Sequence, residues 1–270
     1  MPSHQRTHSN ESSREAADAT GPSEATPPRP TGGTIRVLFW NIRAGGGPSR
    51  AQAIALDILE RKPDIVCLCE CRPTFIGQIA AVIRNAGLIH TFATTDQPRH
   101  NGILLASRFP AEPRSLAQGR IVDADVCLVE ADRSFGTLRL TAVHVPDASK
   151  PNPRRDAFAD LRAVAKQSRD LPHLMLGDFN ADRARTPARD GLPMGRLASL
   201  GYADLPSRSG PGATDPTWLG PRGETARLDH ALASESLVSR VISAGIDPRP
   251  MHLGLSDHAI LSIEISLKDP

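Results

Sequence analysis

Long apolar runs are missing from this chain of 270 residues. No stretch approaches the roughly 18 consecutive apolar residues that a membrane-spanning helix requires, so the sequence excludes a membrane protein. An excess of one charge is missing as well, because 32 basic residues are balanced by 30 acidic ones. This balance excludes a polybasic protein that binds nucleic acid through many phosphate contacts, and it restricts any such binding to a local patch.

Aromatic residues and cysteines are scarce. Aromatics make up 4% of the sequence, which indicates a core built from Leu, Ile, Val and Ala. The cysteines are Cys67, Cys69 and Cys71, which recur at every second residue, and Cys127. In a strand the first three would share one face. Because this spacing is neither a CxxC pair nor a zinc-knuckle pattern, we expect buried free thiols in a reducing compartment.

The first 33 residues contain almost no large apolar side chains and no apolar segment of a secretory signal. Ser, Thr, Pro, Glu, Ala and Gly dominate this segment, which cannot bury enough surface to offset its ordering entropy. The sequence therefore predicts a disordered tail over residues 1–33 and one domain over residues 34–270. We expect a cytoplasmic location, and no obligate protein partner is evident.

Apolar periodicity predicts the order of the elements within the domain. Helices are expected after a capping box at Ser49, from about residue 75 to residue 86, and after an N-cap at Asn152. Residues 181–223 are expected to form long loops around one short helix. This order favours one α/β sandwich over a regularly alternating doubly wound sheet. Strands are expected at residues 34–40, 64–69, 90–94, 102–106, 121–130, 137–145, 173–180, 226–233, 238–246 and 258–266.

Polar side chains fall at the ends of otherwise apolar strands. An acidic group beside a core strand costs several kcal/mol if it is buried without a partner, so these groups need partners or a cation. Carboxylate and amide oxygens suit Mg²⁺, and a histidine beside an aspartate suits a general base whose tautomer the carboxylate fixes. The residues at these positions are Asn41, Glu70, His144, Asp178, Asn180, Asp229, Asp257 and His258.

Eight short motifs in a fixed order carry a resemblance to a known family. They are Trp40-Asn41, Asp64–Glu70, Asn101–Arg108, Thr141–His144, Gly177–Asn180, Thr217-Trp218, Arg227–Asp229 and Ser256–His258. With this set the chain resembles the endonuclease/exonuclease/phosphatase superfamily, which includes DNase I, exonuclease III, neutral sphingomyelinases and inositol polyphosphate 5-phosphatases. The resemblance covers residues 34–266.

The resemblance implies a fold and a cofactor. The implied fold is a DNase I-like, four-layered α/β sandwich, in which two facing mixed β-sheets are flanked by helices. The implied cofactor is Mg²⁺, with Mn²⁺ as a substitute. Glu70 would be the main metal ligand, with Asn41 and Asp257 nearby.

The resemblance also implies catalytic and substrate-binding roles. Asp178 would orient or deprotonate the attacking water, and Asn180 would hold a phosphate oxygen. His258, held by Asp229, would contact the scissile phosphate. The two remaining implied residues are His144, as a donor to a phosphate oxygen or to the leaving group, and Arg108, as a substrate-binding residue.

Three residues differ from the pattern of exonuclease III-like abasic endonucleases, and they indicate which branch of the superfamily the chain resembles. Arg43 stands where exonuclease III-like abasic endonucleases carry a second polar residue on the metal side. His144 stands where those enzymes have a tyrosine, and Cys69 stands where a glutamine is usual. The departures favour the histidine-containing branch, which holds DNase I, the sphingomyelinases and the poly(A) deadenylases.

The implied function is metal-dependent hydrolysis of phosphodiester bonds by an endo- or exonuclease acting on DNA or RNA. Two alternatives stay open: a phosphatase or sphingomyelinase-like lipid phosphodiesterase of the same fold, and a catalytically silent binding module. The intact set of polar residues argues against the silent module, because loss of a ligand is typical of such proteins.

Two polar features favour structural roles. Asn101 followed by Gly102 is typical of a tight turn before a strand. Five basic residues near one helix are interpreted as a solvated face rather than a phosphate-binding track, because arginine is abundant throughout the sequence. These residues are Arg154, Arg155, Arg162, Lys166 and Arg169.

Overall fold

A computed structural model describes residues 33–45, 47–94, 101–117, 120–130, 133–182, 184, 186–205 and 215–268. The tail predicted over residues 1–33 lies outside the described residues except for Gly33. The strands are β1 (Thr34–Asn41), β2 (Ile65–Cys71), β3 (His90–Ala93), β4 (Gly102–Ser107), β5 (Ala111–Ala117), β6 (Ile121–Glu130), β7 (Arg133–His144), β8 (His173–Asp178), β9 (Ala203–Asp204), β10 (Trp218–Leu219), β11 (Thr225–Ala226), β12 (Asp229–Ala233), β13 (Val241–Asp247) and β14 (Ile260–Ser266).

The helices lie between these strands, and a π-helical turn, Pro187–Gly191, leads into the fourth of them. None of the described helices combines the length and the apolar character that crossing a membrane requires. They are α1 (Gly47–Glu60), α2 (Pro73–Asn85), α3 (Pro151–Ser168), α4 (Leu192–Ala198), α5 (Glu235–Val238) and α6 (Arg249–His252).

Two six-stranded mixed sheets form the centre of the domain. In the first sheet the order is β13-β14-β1-β2-β4-β3, and β1 runs parallel to β2. In the second sheet the order is β5-β6-β7-β8-β12-β9, and β7 runs parallel to β8. Because each sheet has its parallel pair near the middle, the carboxyl ends of four central strands are available to build a site.

Three apolar layers hold the sheets and helices together. Side chains from both sheets, including Phe39 and Leu176, share one core between the sheets. Helices α1 and α2 cover the outer face of the first sheet, where Ile58 is buried near Trp40. Helices α3 and α4 cover the second sheet in the same way, through Leu161 and its neighbours. Each such buried side chain contributes about 1.5–3 kcal/mol, and the four layers confirm the predicted sandwich.

Most predicted elements are present, but some boundaries differ. Helix α1 begins at Gly47, ahead of the predicted cap at Ser49, and α3 begins at Pro151 with Lys150 as its N-cap. Proline is favoured in the first turn of a helix because its missing N–H has no partner there in any case. Strand β5 was not predicted, because it contains Pro113, which a strand tolerates at the edge of a sheet, where β5 lies.

The expectation that three cysteines share one face is wrong for Cys71. The pairing of β2 with β4 shifts register between Cys69 and Cys71, and Glu70 between them has φ 57°. Cys67 and Cys69 therefore lie in the core between the sheets, whereas Cys71 lies in the layer beneath α1 and α2. All three thiols are buried and free, as predicted, and burial raises the pKa of each.

Candidate active site

The polar strand ends of both sheets meet at one edge of the sandwich. In the second sheet, Asp178 at the end of β8 is paired with His144 on one side and with Asp229 on the other. In the first sheet, Asn41 and Glu70 end the parallel strands β1 and β2. The strand-end cluster defined by this edge consists of Asn41, Glu70, His144, Asp178, Asn180, Asp229 and His258.

Asn41 connects the two sheets at this edge. Its fully buried amide donates from Nδ2 to Oε1 of Glu70 at 3.2 Å and to Oδ2 of Asp178 at 3.1 Å. Its Oδ1 accepts a hydrogen bond from the backbone N–H of Arg43 at 3.0 Å, which fixes the orientation of the amide. Two carboxylates from different sheets are thus held on either side of one nitrogen.

Glu70 is held by the backbone and by a second amide. Its Oε2 accepts from the N–H of Ala44 at 2.9 Å and from Nδ2 of Asn101 at 3.3 Å. Sequence analysis favoured a turn role for Asn101, and the structure adds a contact to the cluster. Because β4 runs antiparallel to β2, Asn101, which directly precedes β4, lies beside the end of β2. The sequence pattern alone does not reveal this strand pairing, so it could not predict the contact.

Backbone strain is concentrated around the cluster. Among the described non-glycine residues, those with left-handed φ are Lys62 and four residues of this edge, namely Arg43, Ala44, Glu70 and Asn180, with φ of 48° to 57°. Such conformations cost about 1–3 kcal/mol each and persist where the surrounding structure enforces them. At Glu70 the strain accompanies the register shift that turns the carboxylate towards Asn41.

Asp178 and Asn180 form a compact turn after β8. Oδ1 of Asp178 accepts from the N–H of Asn180 at 2.8 Å, and the Asn180 amide donates to the carbonyl oxygen of Val145 at 2.9 Å. The preceding Gly177 permits this arrangement, because a Cβ there would lie 2.1 Å from the carbonyl oxygen of Val143. Close approach of β7 and β8 therefore requires glycine at this position.

Asp229 and His258 form a buried pair. Nδ1 of His258 lies 2.8 Å from Oδ2 of Asp229, and both side chains are buried. The hydroxyl of Thr217 accepts from the N–H of Asp229 at 2.9 Å, and the indole N–H of Trp40 donates to the carbonyl oxygen of His258 at 3.1 Å. Thr217 and Trp40 thus hold the backbone of the two partners. Sequence analysis found both residues in motifs and assigned neither a role.

The environment of the cluster raises the pKa values of His258 and Asp178. Burial alone would lower the pKa of His258, but the charge of Asp229 and its hydrogen bond outweigh burial and raise that pKa to about 10. Burial raises the pKa of Asp178 to about 6, and the neighbouring charge of Asp229 adds to the rise. At neutral pH His258 is therefore an imidazolium, whereas Asp178 is an ionised carboxylate that binds a proton more readily than an ordinary aspartate.

His144 reaches the cluster from the end of β7. Its Nε2 lies 4.0 Å from Oε1 of Glu70 and 3.9 Å from Oδ2 of Asp178. These distances exceed a hydrogen bond, so the ring faces the two carboxylates without being tied to either. The His144 ring is therefore available to a ligand that binds at this edge of the sandwich.

The oxygen atoms on the Glu70 side of the cluster fit a hard divalent cation. Glu70 and Asp178 bring two carboxylates to the Asn41 amide, and carboxylate oxygens are the donors that Mg²⁺ favours. Asp178, Asp229 and His258 also lie within 4.8 Å of one another through their ligand atoms. Nδ1 of His258, however, is already engaged by Oδ2 of Asp229 at 2.8 Å. The donor set around Glu70 therefore fits the cation better.

Asp257 lies near this edge, and Arg108 does not. The hydroxyl of Ser256 donates to the carbonyl oxygen of Asn41 at 2.6 Å, which places the neighbouring Asp257 beside β1, where its Oδ2 lies 3.7 Å from Nε of Arg43. Arg108 lies at the opposite end of the first sheet and pairs with Asp64 at 3.3 Å. Since β4 runs antiparallel to β2, its last residues lie at the far end of the sheet from the cluster, so the structure does not bring Arg108 together with the other predicted site residues.

Solved structures show the same fold at low sequence identity. A 3′-5′ exonuclease, NExo, from Neisseria meningitidis matches with a TM-score of 0.70 and 21% identity, over 86% of this chain and 100% of that chain. A 3′ phosphatase form of NExo from Neisseria, bound to a product DNA hairpin, matches with a TM-score of 0.69 and 20% identity, over 86% and 99%. An AP endonuclease from Archaeoglobus fulgidus matches with a TM-score of 0.70 and 18% identity, over 85% and 98%.

Comparison with curated protein sequences gives no significant match. A family model does match, and it covers residues 38–258, which include every member of the strand-end cluster. By this match the chain belongs to the Endonuclease/Exonuclease/phosphatase family, whose members hydrolyse phosphate esters.

Proposed function

We propose that the protein hydrolyses phosphodiester bonds in DNA or RNA and requires a divalent cation, Mg²⁺ or its substitute Mn²⁺. The observation that carries this proposal is the bridge from Asn41 to both Glu70 and Asp178, with the imidazolium of His258 on the same edge. This arrangement places two carboxylates, suited to a cation, beside one imidazolium, suited to a phosphate.

Glu70 is the main metal ligand in this proposal, with Asn41 and Asp257 nearby. When bound, Mg²⁺ supplies Lewis-acid neutralisation of the phosphate and of the charge that develops on the leaving group. The bonds from Ala44 and Asn101 hold the Glu70 carboxylate in place. These bonds lower the cost of ordering the ligand when the cation binds.

Asp178 orients the attacking water and accepts its proton. A general base works best when its pKa lies near the working pH, and the raised pKa of Asp178, about 6, satisfies this condition. The N–H and the amide of Asn180 hold the carboxylate oxygens of Asp178 at 2.8 and 3.3 Å. Asn180 therefore positions the base, and in this proposal its Nδ2 exchanges the longer of these bonds, to Oδ2 of Asp178, for a bond to a phosphate oxygen.

His258 and His144 stabilise negative charge on the phosphate. Asp229 holds Nδ1 of His258, and no other hydrogen bond within the described part of the chain involves this ring, so Nε2 is left for a phosphate oxygen. A fixed positive group such as the His258 imidazolium acts where charge increases in the transition state. His144 approaches from the other side of Asp178, as a donor to a phosphate oxygen or to the leaving group.

Nucleic acid is the substrate that the surroundings of the cluster favour. Arg43 and Arg72 flank Glu70, and both are exposed, as suits a substrate with several phosphates. Among the structural neighbours are an exonuclease, an AP endonuclease and a protein bound to a DNA hairpin. The 3′ phosphatase neighbour supports a second candidate activity, removal of a phosphate monoester from a DNA end.

A substrate panel tests the proposal. Supercoiled DNA, single-stranded oligonucleotides of DNA and RNA, a 3′-phosphorylated oligonucleotide, sphingomyelin and inositol phosphates are each incubated with Mg²⁺, Mn²⁺ or EDTA. We expect metal-dependent cleavage of nucleic acid that EDTA abolishes and added Mg²⁺ restores. Cleavage of sphingomyelin or inositol phosphates alone, or activity that survives EDTA, would contradict the proposal. The His258→Gln variant is the control for a contaminating nuclease.

A further inference from the structure

A groove lined by arginines lies between α3 and the segment that forms the π-helical turn and α4. Its walls include Arg155, Phe158 and Arg162 from α3, and Arg189, Leu192 and Arg196 from the opposite segment. The cavity has a volume of about 280 Å³. We call this feature the arginine groove.

Helical spacing builds both walls of the arginine groove. Arg155, Phe158 and Arg162 lie three to four residues apart, so they share one face of α3. Leu192 and Arg196 have the same spacing along α4. Of the basic residues near α3 that were interpreted as one solvated face, Lys166 and Arg169 are exposed outside the groove, whereas Arg154, Arg155 and Arg162 line it.

Two arginines of the groove lack acidic partners. Arg189 pairs with Asp190 at 2.8 Å, and Arg155 lies 3.4 Å from Asp156. Arg162 and Arg196 form no ion pair with any carboxylate of the described residues. Since like charges face each other across the groove without compensation, an anion bound there would be stabilised by both.

Apolar surface accompanies the charge. Leu192 is 61% exposed, which is unusual for a large apolar side chain, whereas Phe158 is only 5% exposed at the base of the groove. A phosphate alone needs no apolar surface. A nucleotide does, because it joins a phosphate to a planar base, and the groove presents arginines and apolar side chains together.

The groove adjoins the strand-end cluster through Arg154, which also lines it. This buried guanidinium donates to the carbonyl oxygen of Phe179 at 3.3 Å, between Asp178 and Asn180, and to that of Pro146 at 3.2 Å. The bonds of Arg154 to these two turns, and to Asp190 at 2.9 Å, connect the groove wall to the cluster. A strand that lies across the cluster would reach the groove with a neighbouring nucleotide.

We propose that the arginine groove is a second subsite, which binds one unpaired nucleotide of the substrate strand away from the scissile phosphate. Arg162 and Arg196 contact its phosphate, and the exposed side chain of Leu192 contacts its base. The inference rests on the proposed function and makes it more specific, because a base can enter the groove only when it is not paired.

Direct binding tests the charge of the groove without catalysis. A fluorescent single-stranded DNA 12-mer is titrated in EDTA, and its anisotropy gives Kd for the wild type and for two double variants. Arg162→Gln with Arg196→Gln should raise Kd about tenfold or more and reduce the slope of log K against log salt by about 0.7, which is the contribution of one neutralised phosphate in a single strand. Lys166→Gln with Arg169→Gln removes the same charge outside the groove and should change Kd less than about twofold. Equal effects of the two double variants would overturn the proposal.

A second titration tests whether the arginine groove binds a nucleotide base. Leu192→Ala removes apolar surface from an exposed position, so the fold should be unaffected, and equal melting temperatures verify this. The variant should weaken binding of the 12-mer about fivefold, because the base would no longer cover the exposed apolar surface of Leu192. It should leave unchanged the binding of a 12-mer in which abasic linkers replace the bases. An equal loss with both strands, or no loss with either, would contradict a base-binding groove.

A small diester separates this inference from the proposed function. Turnover of bis(p-nitrophenyl) phosphate with Mn²⁺ reports on the cluster alone, and the Arg162→Gln, Arg196→Gln double variant should retain the wild-type rate. Wild-type protein that turns over neither the diester nor nucleic acid would contradict the proposed function, while the two titrations would still decide the groove. A matching loss on the diester and the 12-mer would show that the arginines act through the cluster, and would overturn the subsite.

Discussion

The amide of Asn41 and the carboxylate of Asp178 are hydrogen-bonded across the two sheets at 3.1 Å. The contact joins the end of β1 to the end of β8, so it forms only when the sheets pack face to face. The same nitrogen holds Glu70, and the position of both carboxylates depends on this single side chain. Folding of the sandwich and assembly of the site are therefore one event.

Replacing Asn41 by alanine should separate the two carboxylates. Both bonds from Nδ2 are lost, and Glu70 and Asp178 repel each other without the amide between them. We expect turnover to fall about 100-fold or more, with a higher Mg²⁺ concentration for half-maximal rate. The exposed Asn85→Ala serves as the matched control. Wild-type metal dependence in the Asn41 variant would show that the bridge does not organise the site.

Glu70→Gln should weaken metal binding more than it weakens the fold. The substitution keeps the shape but removes the charge that a divalent cation requires. Titration calorimetry with Mn²⁺ should show a large loss of affinity, and the melting temperature without metal should stay close to that of the wild type. Glu60→Gln, at the exposed end of α1, is the control. If the Glu70 variant kept most of its rate at Mg²⁺ below saturation, the ligand assignment would be wrong.

Gly177→Ala should destabilise the second sheet. A Cβ at this position would lie 2.1 Å from the carbonyl oxygen of Val143, so β7 and β8 must move apart and His144 must shift relative to Asp178. We expect a loss of about 3 kcal/mol in the free energy of unfolding, measured by urea denaturation. Gly195→Ala has open space around its Cβ and should be neutral or slightly stabilising. A stable Gly177→Ala variant would contradict the close approach of the two strands.

Strand ends were predictable from the sequence, and their contacts were not. Apolar periodicity predicted the strands that lead to Asn41, Glu70 and Asp178, because a buried strand leaves a clear pattern. The contact of Asn101 with Glu70 depends on pairing between β2 and β4. The same pairing places Arg108 away from the cluster, and its motif alone does not reveal which end of the antiparallel strand faces the site.

The arginine groove and the register shift in β2 were not predicted, because both depend on structure that the sequence pattern does not show. Arg162 and Arg196 meet only because α3 and α4 pack side by side, and their separation along the chain contains no sign of this. Cys71 was placed on the wrong face because a left-handed residue at Glu70 interrupts the alternation that a strand pattern assumes. A single bulge inverts the faces of every residue after it.

The buried His173 should make stability depend on pH. Burial lowers the pKa of this histidine to about 3 from 6.5, so the folded state keeps the ring neutral while the unfolded state binds a proton. Its contribution to stability is thus complete above pH 6.5 and declines as the pH falls towards 3. Melting temperatures of the wild type between pH 7.5 and pH 4.5 should decrease more steeply than those of His173→Gln. Parallel curves for the two proteins would contradict this linkage.

The pair of Asp229 and His258 gives the sharpest test of the proposed mechanism. Asp229 fixes the ring through Nδ1 and raises the pKa of His258 to about 10, so Asp229→Asn should lower that pKa and reduce turnover about 100-fold or more. NMR titration of the ring in the Asp229→Asn variant measures the first effect. Metal affinity should change far less than in Glu70→Gln, since the proposed mechanism assigns the pair to the phosphate and Glu70 to the cation.

Turnover of the double variant decides whether the two residues act as a unit. If Asp229 works only through His258, then Asp229→Asn in a His258→Ala background should cost almost nothing further, because groups that act together share one contribution. Should the charge of Asp229 instead act mainly on Asp178, whose pKa it helps to raise, the losses would multiply and the double variant would show the product of the two single effects. Equal melting temperatures for Asp229→Asn and the wild type would assign the loss in turnover to the pair rather than to the fold, and a multiplicative loss would exclude the pair from the mechanism.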